Sequence, residues 1–586
     1  MSVFDNDPAL PSLPIPELDE TINLLKQSMK PLLQPSQWEK SCAALDRLSS
    51  QGKPLADLLV AHRESQPGNA SWLRPIWDDI YMTYRGTLPL NMNYCFEFTP
   101  EKWGNSALSN FTAAMCLVAG QLRRETLPPE STKAGFLSMD ALRSMIYTRI
   151  PCPVRDVWYN PPLAAPATIA VACKGHWFIV SAVNGQGELL QPSAIQEAFE
   201  AIKKRADGMG QAVPVGSFTA AGRDQAAQTR DAVLANPMNR LNLESIEKSL
   251  FAVCLDQAPP AGRDFCLDLI GGDSANRWFD KSLQVISEPG GRLGVNIEHS
   301  GCDAGIWIYA FDRVDEAIRA KNLPGGQGKA HIQALQWNIG PDTAARLDSM
   351  REGFAGAMKA LTMRHKRMTS VSKDLIKAQN CSPDAFAQLL FQAAYYKETK
   401  NFRSAYAAAS TRAFYQGRTE SIRPVTEESA AFVKALYEGA DGQQQLFDKF
   451  RLAEKAHAGR ISRAQKALGP ERHMSGLSYM YQMHAGTPAG KGLAKPEIFE
   501  DQGWKTLRHD VLSTSGVSSE YIDYFGFPPV VADGLGIGYG LKAGALHMAV
   551  SSYGKSDMTA DAFLSNMEEA AGRFMKILTA GNAKAR

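Results

Sequence analysis

Apolar residues recur at helical spacing over residues 10–65, behind a proline-rich entry, Leu10-Pro-Ser-Leu-Pro-Ile-Pro16. That periodicity predicts helices there. Residues 71–95 carry an aromatic cluster of Trp72, Trp77, Tyr81 and Tyr84. Between 147 and 190 the pattern turns to strands. Thr168–Cys173 and His176–Val183 are β-rich runs joined by Lys174-Gly175, which predicts a hairpin. A long helical stretch follows Ser193, and residues 285–312 return to strands. From 343 to 366 the spacing is helical again. Ser382-Pro-Asp-Ala-Phe386 reads as a helix start, with Ser as N-cap, Pro in the first turn and Asp384 near the positive end of the dipole. That helix should run to about Lys397. Residues 426–470 are helical, strands resume from Leu507 through Val530 and Ala545, and a last helix covers about 559–580. Helix and strand therefore alternate in two similar α/β halves. The expected division is an N-terminal helical segment over 1–64, a first half over 65–340 and a second half over 341–586.

Composition narrows the class without naming a reaction. The chain has 586 residues, 44% of them hydrophobic and 21% charged, an ordinary globular balance. Lys and Arg number 63 against 61 Asp and Glu, so no field of one sign points to nucleic acid or an anionic surface. The nine cysteines are dispersed with no Cys-x-x-Cys pair, which argues against structural zinc and for reduced thiols; no metal site is expected. The apolar run Ala167–Val183 is broken by Lys174, Gly175 and His176, a poor membrane span. The opening residues lack the basic region and apolar core of a signal peptide, and Asn582-Ala-Lys-Ala-Arg586 is not a peroxisomal address. A cytoplasmic location is the expectation.

Five places could carry chemistry. In Gly294-Val-Asn-Ile-Glu-His299-Ser-Gly-Cys-Asp303 an alternating run breaks into small residues just after His299. A histidine there could take a hydroxyl proton. It shares a strand face with Leu293, Val295 and Ile297, so a satisfied core residue is the competing reading. Ser513 and Ser515 would point to one side of a strand and Thr514 to the other. Two hydroxyls on one face can donate to an oxyanion, or merely mark a polar strand end. No Gly-x-Ser-x-Gly elbow is present, so a serine nucleophile is not indicated. Lys373 and Lys377, at i and i+4, could hold a polyphosphate with Asp384 nearby, or form a solvated basic surface. Arg472 with the hydroxyls of Tyr406 and Thr419 could clamp a carboxylate, although spacing alone does not bring the three together. Tyr524-Phe525-Gly-Phe527-Pro528 could line an apolar slot, hold a quaternary ammonium, or simply pack a core.

In order and spacing these pieces resemble the choline/carnitine acyltransferase family over nearly the whole chain. The matching stretches include Leu10-Pro-Ser-Leu-Pro-Ile-Pro-Glu-Leu-Asp-Glu-Thr21, Trp77-Asp-Asp-Ile-Tyr81, Asn276-Arg-Trp-Phe-Asp-Lys281, Glu298-His-Ser300, Ser382-Pro-Asp-Ala-Phe386, Gly417-Arg-Thr419 and Val531-Ala-Asp-Gly534. The resemblance implies two chloramphenicol-acetyltransferase-like halves with an active-site tunnel between them. It implies His299 as the base that deprotonates an acceptor hydroxyl for direct attack on an acyl-CoA thioester, with no acyl-enzyme. Ser515, with Ser513 beside it, matches the oxyanion support. Asp303 and Arg418 match a pair that braces the histidine turn, so Asp303→Ala should cost turnover more than binding. Lys373, Lys377, Asp384 and Ser410 match contacts to coenzyme A, which serves as co-substrate; no permanently bound cofactor is implied.

Tyr406, Thr419 and Arg472 match the contacts that hold the carboxylate of carnitine, and choline enzymes carry a neutral residue in place of the arginine. Choline has no carboxylate to pair a buried guanidinium. By the same resemblance Phe525, Phe527 and Tyr81 match the substrate pocket, and Phe525 falls where a bulky family residue blocks the acyl channel, which implies short to medium acyl chains. The family pattern is departed from at Ala407, at Gly516 and in Phe525-Gly-Phe-Pro-Pro529, all around acceptor and acyl pockets. The expectation is a monomeric carnitine O-acyltransferase of fatty-acid metabolism acting on small molecules. The alternatives are transfer to choline or another alcohol or polyol, as in an offloading domain cut from a larger synthase, and a non-catalytic relative that binds coenzyme A.

Overall fold

The computed structural model describes residues 2–585 apart from Ala164, 259–261 and Ala440. The chain forms two compact units. One comprises Met1–Asp7, Asp78–Met363 and Ser519–Pro528; the other comprises Pro8–Trp77, Arg364–Ser518 and Pro529–Arg586. The units are interleaved where the sequence predicts consecutive stretches. The N-terminal helices belong to the second unit, and one late strand belongs to the first. Each unit is mixed α/β, the class read from the alternation of helix and strand.

The first unit is built on eight strands, in the order Ile332–Ala334, His176–Ser181, Thr168–Cys173, Ala252–Leu255, Leu283–Ser287, Leu293–Ile297, Tyr94–Phe98 and Ile522–Gly526. The predicted hairpin forms in register from Thr168↔Ser181 to Cys173↔His176. Its two turn residues both take positive φ, 54° at Lys174 and 79° at Gly175, the backbone that a two-residue turn needs to match strand twist. The strand signal expected to reach residue 312 stops at Ile297. From Ala304 to Arg319 the chain is a helix that buries Ile306, Trp307, Ala310, Phe311, Val314 and Ile318. Those positions keep the three-to-four spacing of one helix face, and that period overrides the β-rich composition.

The second unit holds six strands, in the order Leu361–Met368, Leu546–Tyr553, Leu535–Leu541, Leu512–Gly516, Ala405–Ser410 and Thr419–Ile422. The helix predicted over 343–366 ends at Met358, and Leu361–Met368 is an edge strand. Leu361 and Met363 are buried while Thr362 and Arg364 are exposed, the period of a strand. One face of this sheet is apolar. Leu512, Leu535, Ile537, Leu546, Met548 and Val550 pack with Phe386 and Leu390 of the Pro383–Thr399 helix and with Phe563 and Phe574 of the last helix, Ala560–Ala585. Each such side chain contributes roughly 1.5–3 kcal/mol by burial. The helix start at Ser382 forms as predicted, its hydroxyl accepting from the Ala385 amide. The N-terminal helices make a second core with the Pro470–His484 helix around Leu25, Leu48, Trp72 and Leu477. Among the described residues no helix is long and apolar enough to cross a membrane.

Candidate active site

His299 lies on the turn between the Leu293–Ile297 strand and the Ala304–Arg319 helix of the first unit. Its Nδ1 is 3.4 Å from the Cys302 carbonyl. A carbonyl oxygen only accepts, so Nδ1 carries the ring proton in that contact and Nε2 bears the lone pair a base requires. The Asp303 carboxylate stands 3.9 Å from the same Nδ1, close enough for its charge to be felt at the ring. Tyr94 meets the ring edge-on at 5.1 Å and Tyr81 lies at 5.8 Å. The imidazole is walled by aromatics yet 31% exposed, so it is not an enclosed core residue. Phe525 packs against Tyr94 at 5.8 Å and against Phe527 at 5.3 Å. Tyr81, Phe525 and Phe527 thus join His299 in one run of rings.

Sequence reasoning missed what holds this turn. Glu298 is fully buried. Its carboxylate accepts from Arg149 Nη1 at 3.1 Å, from the Ser300 amide at 3.0 Å and from the Tyr147 hydroxyl. Arg149 also donates to Asp156 at 2.8 Å and to the Tyr81 carbonyl at 2.6 Å. The signal was present only as alternation: Tyr147 and Arg149 flank Thr148 in a β-rich stretch, and Glu298 is a lone carboxylate closing an apolar run.

In the second unit the sheet register sorts the polar residues. Tyr406 is opposite Ser513, Ser513 is opposite Gly536, Ser515 is opposite Gly538, and Ser410 is opposite Thr419. Residues opposed across a ladder share a face. Tyr406, Ser410, Thr419, Ser513 and Ser515 therefore stand together on the face turned from the apolar core, and glycines leave room beside the serines. Thr514 points the other way, donating to the Tyr406 carbonyl at 2.8 Å and accepting from Gln388 at 2.8 Å.

Arg472 comes to this face from the Pro470–His484 helix. Its Nε donates to the Thr419 carbonyl at 3.2 Å and its Nη2 lies 3.5 Å from the Tyr406 hydroxyl. The guanidinium is over the Trp77 ring at 4.2 Å, and that of Arg418 approaches the same ring at 5.3 Å. Three residues that spacing could not assemble are assembled by the fold. Next to Thr419, burial pushes the Glu420 carboxyl up to about 7, with the charge of Arg472 pulling the other way. Thr419, Glu420, Arg472 and His473 line a small common cavity.

Lys373 and Lys377 occupy one short helix, Lys373–Ala378, and both are exposed. Asp384 accepts from Tyr539 at 2.6 Å and from His457 Nε2 at 2.9 Å. Burial works against its charged form, but these bonds and the His457 charge hold the carboxyl below its ordinary value. It is therefore an anionic acceptor. Ser410, grouped by the resemblance with the coenzyme A contacts, faces Thr419. Asp303 belongs to the first unit and Arg418 to the second.

Residues 13–569 match the family model described as choline/carnitine O-acyltransferase. The chain belongs to that family. It is 28% identical to carnitine O-palmitoyltransferase 2, mitochondrial, of Xenopus tropicalis, with 94% of this chain and 89% of that protein covered. The human protein of the same name is also 28% identical, with 93% and 88% covered. Choline O-acetyltransferase of Danio rerio is 28% identical as well, with 96% and 91% covered. Family membership carries acyl transfer between coenzyme A and an alcohol. Equal identity to carnitine and choline enzymes leaves the acceptor to be argued from the site itself.

Proposed function

We propose that this protein is a carnitine O-acyltransferase in which His299 is the general base. In the forward step Nε2 takes the acceptor hydroxyl proton while the oxygen bonds to the thioester carbonyl carbon. The carbonyl electrons move onto oxygen, and Ser515, with Ser513 beside it, donates to that oxyanion. Collapse breaks the carbon–sulfur bond, and the imidazolium returns its proton to the coenzyme A thiolate. Lys373, Lys377 and Asp384 serve coenzyme A, the lysines toward phosphate and the carboxylate toward an amine donor.

The observation that carries the acceptor is Arg472 with the Tyr406 hydroxyl at 3.5 Å, on the helix beside Thr419. A cation and hydroxyls on one face suit a carboxylate. Choline, a cation without a carboxylate, would meet like charge. Phe525 is 6% exposed and packed between Tyr94 and Phe96, which favours short to medium acyl groups. In that respect the reading parts from the palmitoyltransferases among the relatives. A screen of acceptors and acyl-CoA lengths with purified protein tests both points. The expected result is thiol release that depends on L-carnitine and is fastest with acetyl- to octanoyl-CoA. Equal or faster release with choline would reject the acceptor, and a preference for palmitoyl-CoA would reject the acyl range.

A further inference from the structure

The turn that carries His299 is fastened from beneath by the fully buried Tyr147, Arg149, Glu298 and Ser300. Tyr147 is fully buried. Its hydroxyl donates to the Glu298 carboxylate, on the residue before His299, and accepts from the Gly301 amide at 3.0 Å, two residues after it. One oxygen therefore bridges the two sides of the catalytic turn. A side chain at position 301 would collide with this ring, because a Cβ there would lie 2.4 Å from Tyr147 Cε1 and 2.5 Å from the Ser144 carbonyl. Ser300 closes the loop by donating to Glu298 at 2.5 Å while accepting from Trp158 Nε1 at 2.9 Å. Arg149 supplies the countercharge to Glu298 and, through the Tyr81 carbonyl, ties in a ring that lies against the imidazole. Burial first, and then the Glu298 charge, keeps the Tyr147 phenol well above its ordinary value, so it stays a donor throughout the working range.

We infer that Tyr147 and Glu298 are positioning residues that fix the angle of the His299 imidazole by clamping the turn on both sides of it. The inference rests on the reading of His299 as the base. A buried hydrogen bond between a phenol and a carboxylate is a costly way to stabilise a loop, because losing one partner strands the other in an apolar site. A misplacement on the order of 1 Å at a reacting group can cost about a hundredfold in rate.

The test is Tyr147→Phe, which keeps the ring and removes only the bridging oxygen, alongside Glu298→Gln and Glu298→Ala. With acetyl-CoA and L-carnitine, Tyr147→Phe should lower kcat by about 10- to 100-fold and leave both KM values within about twofold. Glu298→Gln should retain more activity than Glu298→Ala. A second readout is free of turnover: diethyl pyrocarbonate should modify His299 several-fold faster in Tyr147→Phe than in wild type, followed by mass spectrometry. Wild-type kcat together with a wild-type modification rate in Tyr147→Phe would overturn the inference, whatever happened to its melting temperature. If wild type itself transferred no acyl group, the acyltransfer reading would fall, and the modification rate alone would decide the clamp.

Discussion

His299 leans on buried ions, whereas the polar residues of the second unit stand on a sheet. Around the histidine turn, Arg149, Asp156, Glu298 and Tyr147 are all fully buried and joined by charge-assisted bonds. In the second unit Ser513, Ser515, Tyr406 and Thr419 take their places from strand register, with Gly536 and Gly538 clearing the space beside them. A turn has no ladder to hold it, so a catalytic group on a turn needs a dedicated brace. A hydroxyl on a strand inherits its aim from the backbone. The first arrangement concentrates its geometry in a few costly contacts, and the second spreads it over many cheap ones. Substitutions should therefore be abrupt in effect near the turn and graded along the sheet.

Removing the proposed base is the sharpest break. His299→Ala should lower kcat by roughly 10³–10⁴, near the upper end of what general acid–base catalysis supplies, with the circular dichroism spectrum unchanged. Retention of more than a tenth of wild-type turnover would sink the assignment. Ser515→Ala should cost kcat about 10²-fold, the usual scale for one oxyanion donor, and Ser513→Ala clearly less. Equal losses in the two would contradict the proposal that Ser515 is the main oxyanion donor and Ser513 stands beside it. Arg472→Gln should raise the KM for L-carnitine about 10- to 100-fold while kcat and the KM for acetyl-CoA stay close to wild type. An unchanged carnitine KM would remove the carboxylate from the account.

The gentlest test is by pH. Glu420 has its carboxyl raised from 4.5 to about 7, chiefly by burial. A carboxyl raised in the folded state stabilises the fold fully below its unfolded value and loses that contribution as pH climbs through the folded one. Between pH 4.5 and about 7, wild type should lose up to about 3 kcal/mol relative to Glu420→Gln. Ionised Glu420 also competes for Arg472, so the carnitine KM should rise a few-fold above neutral pH in wild type and stay flat in Glu420→Gln. Parallel pH curves for the two proteins would show that this carboxyl does not titrate in the window.

Much of this was legible in the chain, and the failures share a cause. The Lys174-Gly175 hairpin, the helix from Ser382 and the opposed faces of Ser513 and Thr514 follow from local pattern, and each stands in the structure. The stretch after Asp303 misled because Trp, Tyr, Ile and Phe favour strands, while their spacing already favoured a helix. Ile522–Gly526 was readable as a strand, but period cannot tell which sheet a strand joins; its pairing of Phe525 with Phe96 in the first unit is a tertiary fact. The clamp under His299 stayed hidden for the same reason. Its members lie about 150 residues apart in sequence, and a buried Glu–Arg–Tyr set looks like three scattered polar residues until the sheet folds.

The claim on which the rest depends is direct attack by a hydroxyl that His299 activates. Rapid mixing of purified protein with acetyl-CoA, reading free thiol with and without L-carnitine, tests it most directly. The account predicts no thiol burst without acceptor, steady release once L-carnitine is added, and loss of that release in His299→Ala. A burst of one thiol per chain without acceptor, or wild-type release in His299→Ala, would contradict it.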